Sequence, residues 1–178
     1  MESKLIIGLG NPGREYENTY HNVGHLFIDA LAGKNTFKKG KYFEYLKSDG
    51  RIYAKTSTFM NQSGGAVASA KRYFEVKPGE ILVVHDDSDI PLGSFKLSFG
   101  RGSAGHGGIE SIIRSLRTNK FHRLRIVVRP SREIKRTKAG GLVLKKIGVK
   151  EKKILQDLFS HPEINSEAHP AARARRNA

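Results

Sequence analysis

The sequence predicts one α/β domain with a mostly parallel central sheet, helices on both faces and an antiparallel hairpin. Short apolar runs alternate with stretches whose apolar residues recur at helical spacing, the order of a sheet wound with crossover helices. The chain has 178 residues and 38% apolar content, which suits a single compact core. Polar residues suited to chemistry stand where strand-like runs give way to turns, at Asn11, at Asp86 and in the glycine-rich stretch 100–108. Ligands gather at the carboxyl ends of the strands in such sheets.

Each element follows from its own pattern. Residues 4–10 form an apolar run that ends in Gly-Asn-Pro-Gly, a buried strand followed by a turn. From Asn22, the residues Val23, Leu26, Phe27, Ala30 and Leu31 recur at helical spacing until Gly33 stops them. Residues 43–47 and 51–55 flank Ser48-Asp49-Gly50 and read as the hairpin. Residues 61–74 are helical, closed by Lys77-Pro78-Gly79, and 81–84 form a short buried strand that delivers His85-Asp86-Asp87 at its end. An alternating strand over 94–99 precedes the glycine-rich turn, a helix over 109–116 and a strand over 124–128. After Pro130 the chain turns basic and poorly patterned, with a further helix over 150–159. The domain is expected to span 1–160, and 161–178 to be a basic, disordered tail.

Charge points to the class of partner. The formal net charge is +15, and residues 120–178 hold 16 Lys/Arg against 5 Asp/Glu, whereas residues 1–119 hold 16 against 12. A polyanion such as nucleic acid suits this balance, although a solvated basic surface produces it too. The absence of cysteine excludes a disulfide frame, a thiolate nucleophile and a zinc site of the cysteine type. The amino-terminal stretch lacks the order of a secretory signal and no apolar run is long enough to cross a bilayer, so a cytoplasmic location is expected.

Two motifs have rival readings. Gly8-Leu9-Gly10-Asn11-Pro12-Gly13 satisfies the dinucleotide pattern G-x-G-x-x-G. Pro12, however, removes a backbone N–H from the phosphate cradle, and no strand ending in an acidic residue follows about 20 residues later. The turn more simply presents Asn11. The run His85-Asp86-Asp87-Ser88-Asp89 offers oxygen ligands for a hard cation, but they crowd into one stretch without a distant partner, so no metal and no cofactor is expected. His21 is one of seven histidines. An imidazole can take a proton from water near neutral pH, and a carboxylate on its other nitrogen fixes the tautomer, which makes Asp86 the candidate partner. Asp87 and Asp89 then read as turn or surface residues.

The segments G-L-G-N-P-G-R-E-Y, T-Y-H-N-V-G, T-S-T-F-M-N-Q-S-G, H-D-D-S-D-I-P-L-G, G-S-A-G-H-G-G-I and F-H-R-L-R-I occur in that order. Together they resemble the successive signatures of bacterial-type peptidyl-tRNA hydrolase, from about residue 4 to about residue 144. The resemblance implies a monomeric α/β hydrolase that cleaves the ester between a peptide and the terminal ribose of tRNA. It implies His21 as general base, Asp86 as its orienting carboxylate, and Asn11, Tyr16, Phe59, Met60, Asn61, His106 and Gly107 as positions of the substrate cleft. It also implies Arg125 as a tRNA clamp. The family lysine for the tRNA 5′-phosphate aligns with Ser98, where Lys96 and Arg101 are close enough to substitute.

Departures from the family pattern fall at named positions. Its glycine-rich loop reads H-G-G-H-N-G where this chain has Ser103-Ala104-Gly105-His106-Gly107-Gly108, so Gly107 replaces an asparagine that helps hold substrate. Tyr20 stands where arginine is common, and the carboxyl-terminal helix is shorter. These changes keep an alternative open: a non-catalytic RNA-binding relative resembling the chloroplast group II intron splicing factor.

Overall fold

The computed structural model describes residues 3–129, 144–161 and Ile164. The elements in chain order are β1 (Leu5–Gly8), α1 (Val23–Ala32), β2 (Lys38–Lys39), β3 (Phe43–Ser48), β4 (Arg51–Thr56), α2 (Ser63–Tyr73), β5 (Ile81–Pro91), β6 (Phe95–Phe99), α3 (Gly107–Leu116), β7 (His122–Arg129) and α4 (Val149–Phe159). Single turns of 3-10 helix at Tyr20–Asn22 and Met60–Gln62 lead directly into α1 and α2.

Among the described residues the strands form one seven-stranded sheet in the order β2-β3-β4-β1-β5-β7-β6. The centre is parallel, β4 with β1, β1 with β5 and β5 with β7, while β2, β3 and β6 are antiparallel additions at the two edges. The expected α/β architecture is therefore the observed one, with the hairpin at β3 and β4. The two-residue strand β2, made of exposed lysines, has no counterpart in the sequence pattern.

Strand alternation builds two cores. Along β1 and β5, Ile6, Leu82 and Val84 face α1 and α4, where Phe27, Ile28, Leu155 and Phe159 cover them. Leu5, Ile7, Ile81 and Val83 face α2 and α3, against Val67, Ala70, Ile109 and Ile112. Central strands buried on both faces read as continuous apolar runs, which is why the sequence shows them so plainly.

The approach of α1 to the sheet is set by glycine. A Cβ on Gly24 would lie 2.5 Å from the Val84 carbonyl oxygen and 2.6 Å from the Leu9 backbone, and one on Gly8 would lie 2.2 Å from the Gly24 carbonyl oxygen. Backbone therefore rests on backbone where α1 begins. That close approach brings His21, one turn earlier, over the carboxyl end of β1 and the middle of β5.

Two expectations are corrected. Strand β5 does not stop at Val84 but runs to Pro91, pairing His85, Asp86 and Asp87 with Arg125, Ile126 and Val127 of β7 before its register shifts. Asp87 is accordingly no turn residue: it is buried and ion-paired with Arg125. The basic stretch after Pro130 and the tail beyond 164 lie outside the described residues. Ile164 itself is buried in the core on the α1 side.

Candidate active site

His21 sits on the 3-10 turn before α1, and Asp86 on β5 points to the same face as Leu82 and Val84. The His21 Nδ1 lies 2.8 Å from Asp86 Oδ1. The same carboxylate oxygen meets His106 Nε2 at 3.0 Å. Burial alone would raise the pKa of Asp86, but the imidazoles of His106 and then His21 outweigh it and hold the carboxyl well below the usual range. Asp86 is thus an ionised acceptor, and each histidine must turn an N–H toward it.

The tautomers follow. His106 is the N-cap of α3, and its Nδ1 accepts hydrogen bonds from the backbone N–H groups of Gly108 and Ile109 at 3.1 and 3.3 Å. Its single proton therefore lies on Nε2 and is donated to Asp86. His21 in turn keeps its proton on Nδ1, which leaves Nε2 as a lone-pair base. The positive end of the α3 dipole backs this chain of bonds and favours negative charge on Asp86.

His21, Asp86 and His106 also form a group that could hold a metal ion, their candidate ligand atoms all lying within 4.8 Å of one another. The bonding of His106 opposes that use. With Nδ1 occupied as an acceptor, the Nε2 of neutral His106 carries the proton and has no lone pair for a cation.

These side chains open onto a cleft of about 790 Å³ that also exposes Gly107. Its far wall is cationic, with Lys96 from β6, Arg101 from the glycine-rich loop and Arg123 and Arg125 from β7. Register explains the grouping: Lys96 pairs with Arg125 and Ser98 with Arg123, so all four side chains stand on one face. Asp87 neutralises part of Arg125, while Arg123 Nη1 donates to the Gly102 carbonyl at 2.9 Å and anchors the loop. Beneath them His85 is buried; burial first, then His106, pushes its pKa well down, so it is neutral. Its Nδ1 donates to the Asp86 carbonyl oxygen at 2.7 Å, and its ring meets His106 edge-on at 4.6 Å.

The remaining expected residues are distributed around this centre. Asn11 is buried, and its Oδ1 accepts from the Met60 backbone N–H at 2.7 Å, which leaves its amide nitrogen as the group to offer a substrate. It lines a second cleft of about 470 Å³. Met60 is buried, its sulfur against Gly108, whereas Asn61 on the same 3-10 turn is exposed. Tyr16 and the half-exposed Phe59 meet edge-to-face at 6.1 Å.

Three supporting groups escape sequence reasoning. Asn22 brackets the backbone of Asn11, its Oδ1 accepting from Asn11 N–H at 2.8 Å and its Nδ2 donating to Asn11 O at 2.9 Å. Lys146 Nζ donates to the carbonyls of Glu15 and Glu17 and holds the loop that leads to His21. His85 forms the floor. Asn22 lies beside His21 in the T-Y-H-N-V-G segment, so its position is visible in the sequence although its partner is not. Lys146 reaches across more than a hundred residues and has no local signal.

Comparison with known proteins follows the same outline. The family model described as Peptidyl-tRNA hydrolase matches residues 5–171. A peptidyl-tRNA hydrolase of Neisseria meningitidis serogroup C is 47% identical over 131 residues, covering 69% of this chain and 68% of the relative. One from Lactobacillus johnsonii is 42% identical over 133 residues, covering 71% and 72%. The crystal structure of peptidyl-tRNA hydrolase from Acinetobacter baumannii superposes with a TM-score of 0.78 at 30% identity, covering 96% of this chain and 92% of that one.

Proposed function

The chain belongs to the peptidyl-tRNA hydrolase family and is an enzyme that hydrolyses peptidyl-tRNA; from that premise we propose that His21, held by Asp86, activates the attacking water. The observation that carries this reading is the ionised Asp86 accepting from His21 Nδ1, which leaves Nε2 basic. His21 Nε2 takes a proton from water as the oxygen attacks the ester carbonyl. The imidazolium that forms is stabilised by Asp86 and then protonates the departing ribose oxygen. No covalent intermediate is needed.

The other assignments rest on position. The Asn11 amide nitrogen and the exposed Asn61 amide are suited to the peptide side of the substrate, with Tyr16, Phe59 and Met60 as the apolar wall. A site that hydrogen-bonds the peptide amide discriminates against a free aminoacyl ester, which offers a cationic amine instead. His106 acts through Asp86 as a positioning residue. Lys96, Arg101 and Arg125 line the wall suited to tRNA phosphates, so binding weakens with salt. The enzyme acts as a cytoplasmic monomer, with residues 1–160 as the bulk of the working domain, which the buried Ile164 extends, and the remainder as a basic tail. The non-catalytic alternative has no support among the relatives, which carry the hydrolase name.

The test is release of N-acetyl-amino acid from N-acetyl-aminoacyl-tRNA with EDTA present. Robust cleavage with free aminoacyl-tRNA spared is expected. Loss of cleavage on chelation would overturn the metal-free mechanism.

A further inference from the structure

At the opposite edge of the sheet from the cationic wall of the cleft, β2, β3 and the end of α2 form a second basic surface that the hydrolytic reading does not use. Residues 34–47 hold five lysines and one glutamate, and residues 71–77 hold three basic residues and one glutamate. Register assembles them. Lys38 pairs with Tyr45 and so shares its face, and Phe43, Tyr45 and Lys47 alternate onto that same face. The opposite face takes Glu44, which is ion-paired with Lys55 and so subtracts nothing from the patch.

Aromatic rings interleave with these cations. Tyr73 is 60% exposed and Tyr42 is 51% exposed. The Tyr73 ring is braced by Phe43, Tyr45 and Phe74, with the Tyr45 and Tyr73 hydroxyls 3.2 Å apart. Lys47 Nζ lies 5.5 Å from the centre of the Phe74 ring, and Lys41 Nζ lies 5.3 Å from that of Tyr42. Tyr42 adopts a left-handed φ of 71°, an uncommon conformation for a bulky residue, and it turns the ring outward. Lysines on an edge strand also serve to block pairing with other chains. That role covers Lys38 and Lys39 but not Lys47 or Arg72, nor two tyrosines left open to water.

We propose that this edge binds a single-stranded RNA segment, with Tyr73 stacking a base and Lys38, Lys47 and Arg72 holding phosphates. Exposed, braced rings within a cationic surface are how proteins take single strands, because every base has a face to stack and every link a charge to neutralise. A duplex offers no free base face to Tyr73. The surface is set apart from the reacting residues: β3 is divided from Asp86-bearing β5 by β4 and β1, and the cationic wall of the cleft lies at the opposite edge. Six strand spacings of about 4.8 Å put β2 and β6 roughly 29 Å apart.

The experiment is fluorescence anisotropy of a labelled twelve-nucleotide oligouridine with the full chain, over a series of salt concentrations. The variant Lys38→Glu/Lys47→Glu/Arg72→Glu is expected to bind at least tenfold more weakly. Its salt slope should be shallower by roughly 2, at about 0.7 for each single-strand phosphate that is no longer neutralised. Tyr73→Leu, which keeps apolar packing against Phe43 and Phe74, is expected to lose affinity without a change in slope. Both should hydrolyse N-acetyl-aminoacyl-tRNA at the wild-type kcat, which also shows that they fold, and His21→Ala should bind the oligonucleotide normally. Unchanged affinity in the triple variant would overturn the proposal. So would loss of all binding on Arg101→Glu alone, which would place the RNA in the cleft, or equally tight binding of polyglutamate with Tyr73→Leu neutral, which would make the partner an acidic protein surface.

Discussion

One carboxylate oxygen organises the reacting residues, since Asp86 Oδ1 receives hydrogen bonds from His21 and His106 together. His106→Ala should therefore act through Asp86, lowering kcat with little effect on KM, whereas His106→Gln, which can still donate, should recover part of the loss. Asn22 is the second residue to examine. Its two bonds fix the Asn11 backbone beside the 3-10 turn that carries His21, and Asn22→Ala leaves buried main-chain groups unpaired, at a cost of about 1–3 kcal/mol for a typical group. A drop of that size in chemical denaturation, with reduced turnover, is expected; unaltered turnover would show that the bracket does not position His21. Gly107 is the third. A Cβ there meets nothing within 4 Å, although the residue opens the α3 helix beside His106. Gly107→Asn should fit without strain and raise kcat/KM, read in the same hydrolysis assay.

The elements that carry these residues are legible in different degrees, for physical reasons. Buried central strands and amphipathic helices announce themselves, so β1, α1, α2, β7 and the hairpin fall close to where apolar spacing puts them. Strand β5 reads as ending early because His85-Asp86-Asp87-Ser88-Asp89 is poor strand sequence; only pairing with β7 keeps it extended. Strand β2 is two exposed lysines and has no apolar pattern at all. The site divides in the same way: His21 and Asp86 can be matched as base and carboxylate, but the shared oxygen, the His85 floor and the Lys146 clamp depend on proximity that no local spacing encodes. The seating of α1 on the sheet is the feature most open to test. Gly24→Ala sets a methyl group against the Val84 carbonyl and the Leu9 backbone, and overpacking of this kind costs about 1–3 kcal/mol or more. A lower denaturation midpoint and weaker hydrolysis should appear together, because α1 cannot shift without moving His21.

At the scale of the whole molecule, one buried and one partly buried imidazole make folding sensitive to acid. His25 bonds Thr56 beneath the second cleft, and burial, then Lys55, pushes its pKa down to about 3, while His85 is also held well below its ordinary value. Both stay neutral in the folded chain but take up protons near pH 6.5 when unfolded. Their contribution is fully present above pH 6.5 and is lost as the pH falls toward the folded values, at roughly 1 kcal/mol per pH unit for each group. Asp86, whose folded pKa is depressed, adds a loss of the same sign below about pH 4, the ordinary carboxylate value. Guanidinium midpoints should therefore fall from pH 6.5 to pH 4, and His25→Gln should flatten that slope; an identical slope in the variant would remove His25 from the explanation.

The pairing of His21 with Asp86 as one catalytic unit is tested most directly by single-turnover hydrolysis of N-acetyl-aminoacyl-tRNA by the wild type, His21→Ala, Asp86→Asn and the double variant. General acid–base catalysis is worth about 10²- to 10⁴-fold, and groups that act together are not additive. His21→Ala should fall within that range, Asp86→Asn should lose less, and the double variant should be no slower than His21→Ala alone. Cleavage by His21→Ala near the wild-type rate, or losses that multiply in the double variant, would contradict the mechanism.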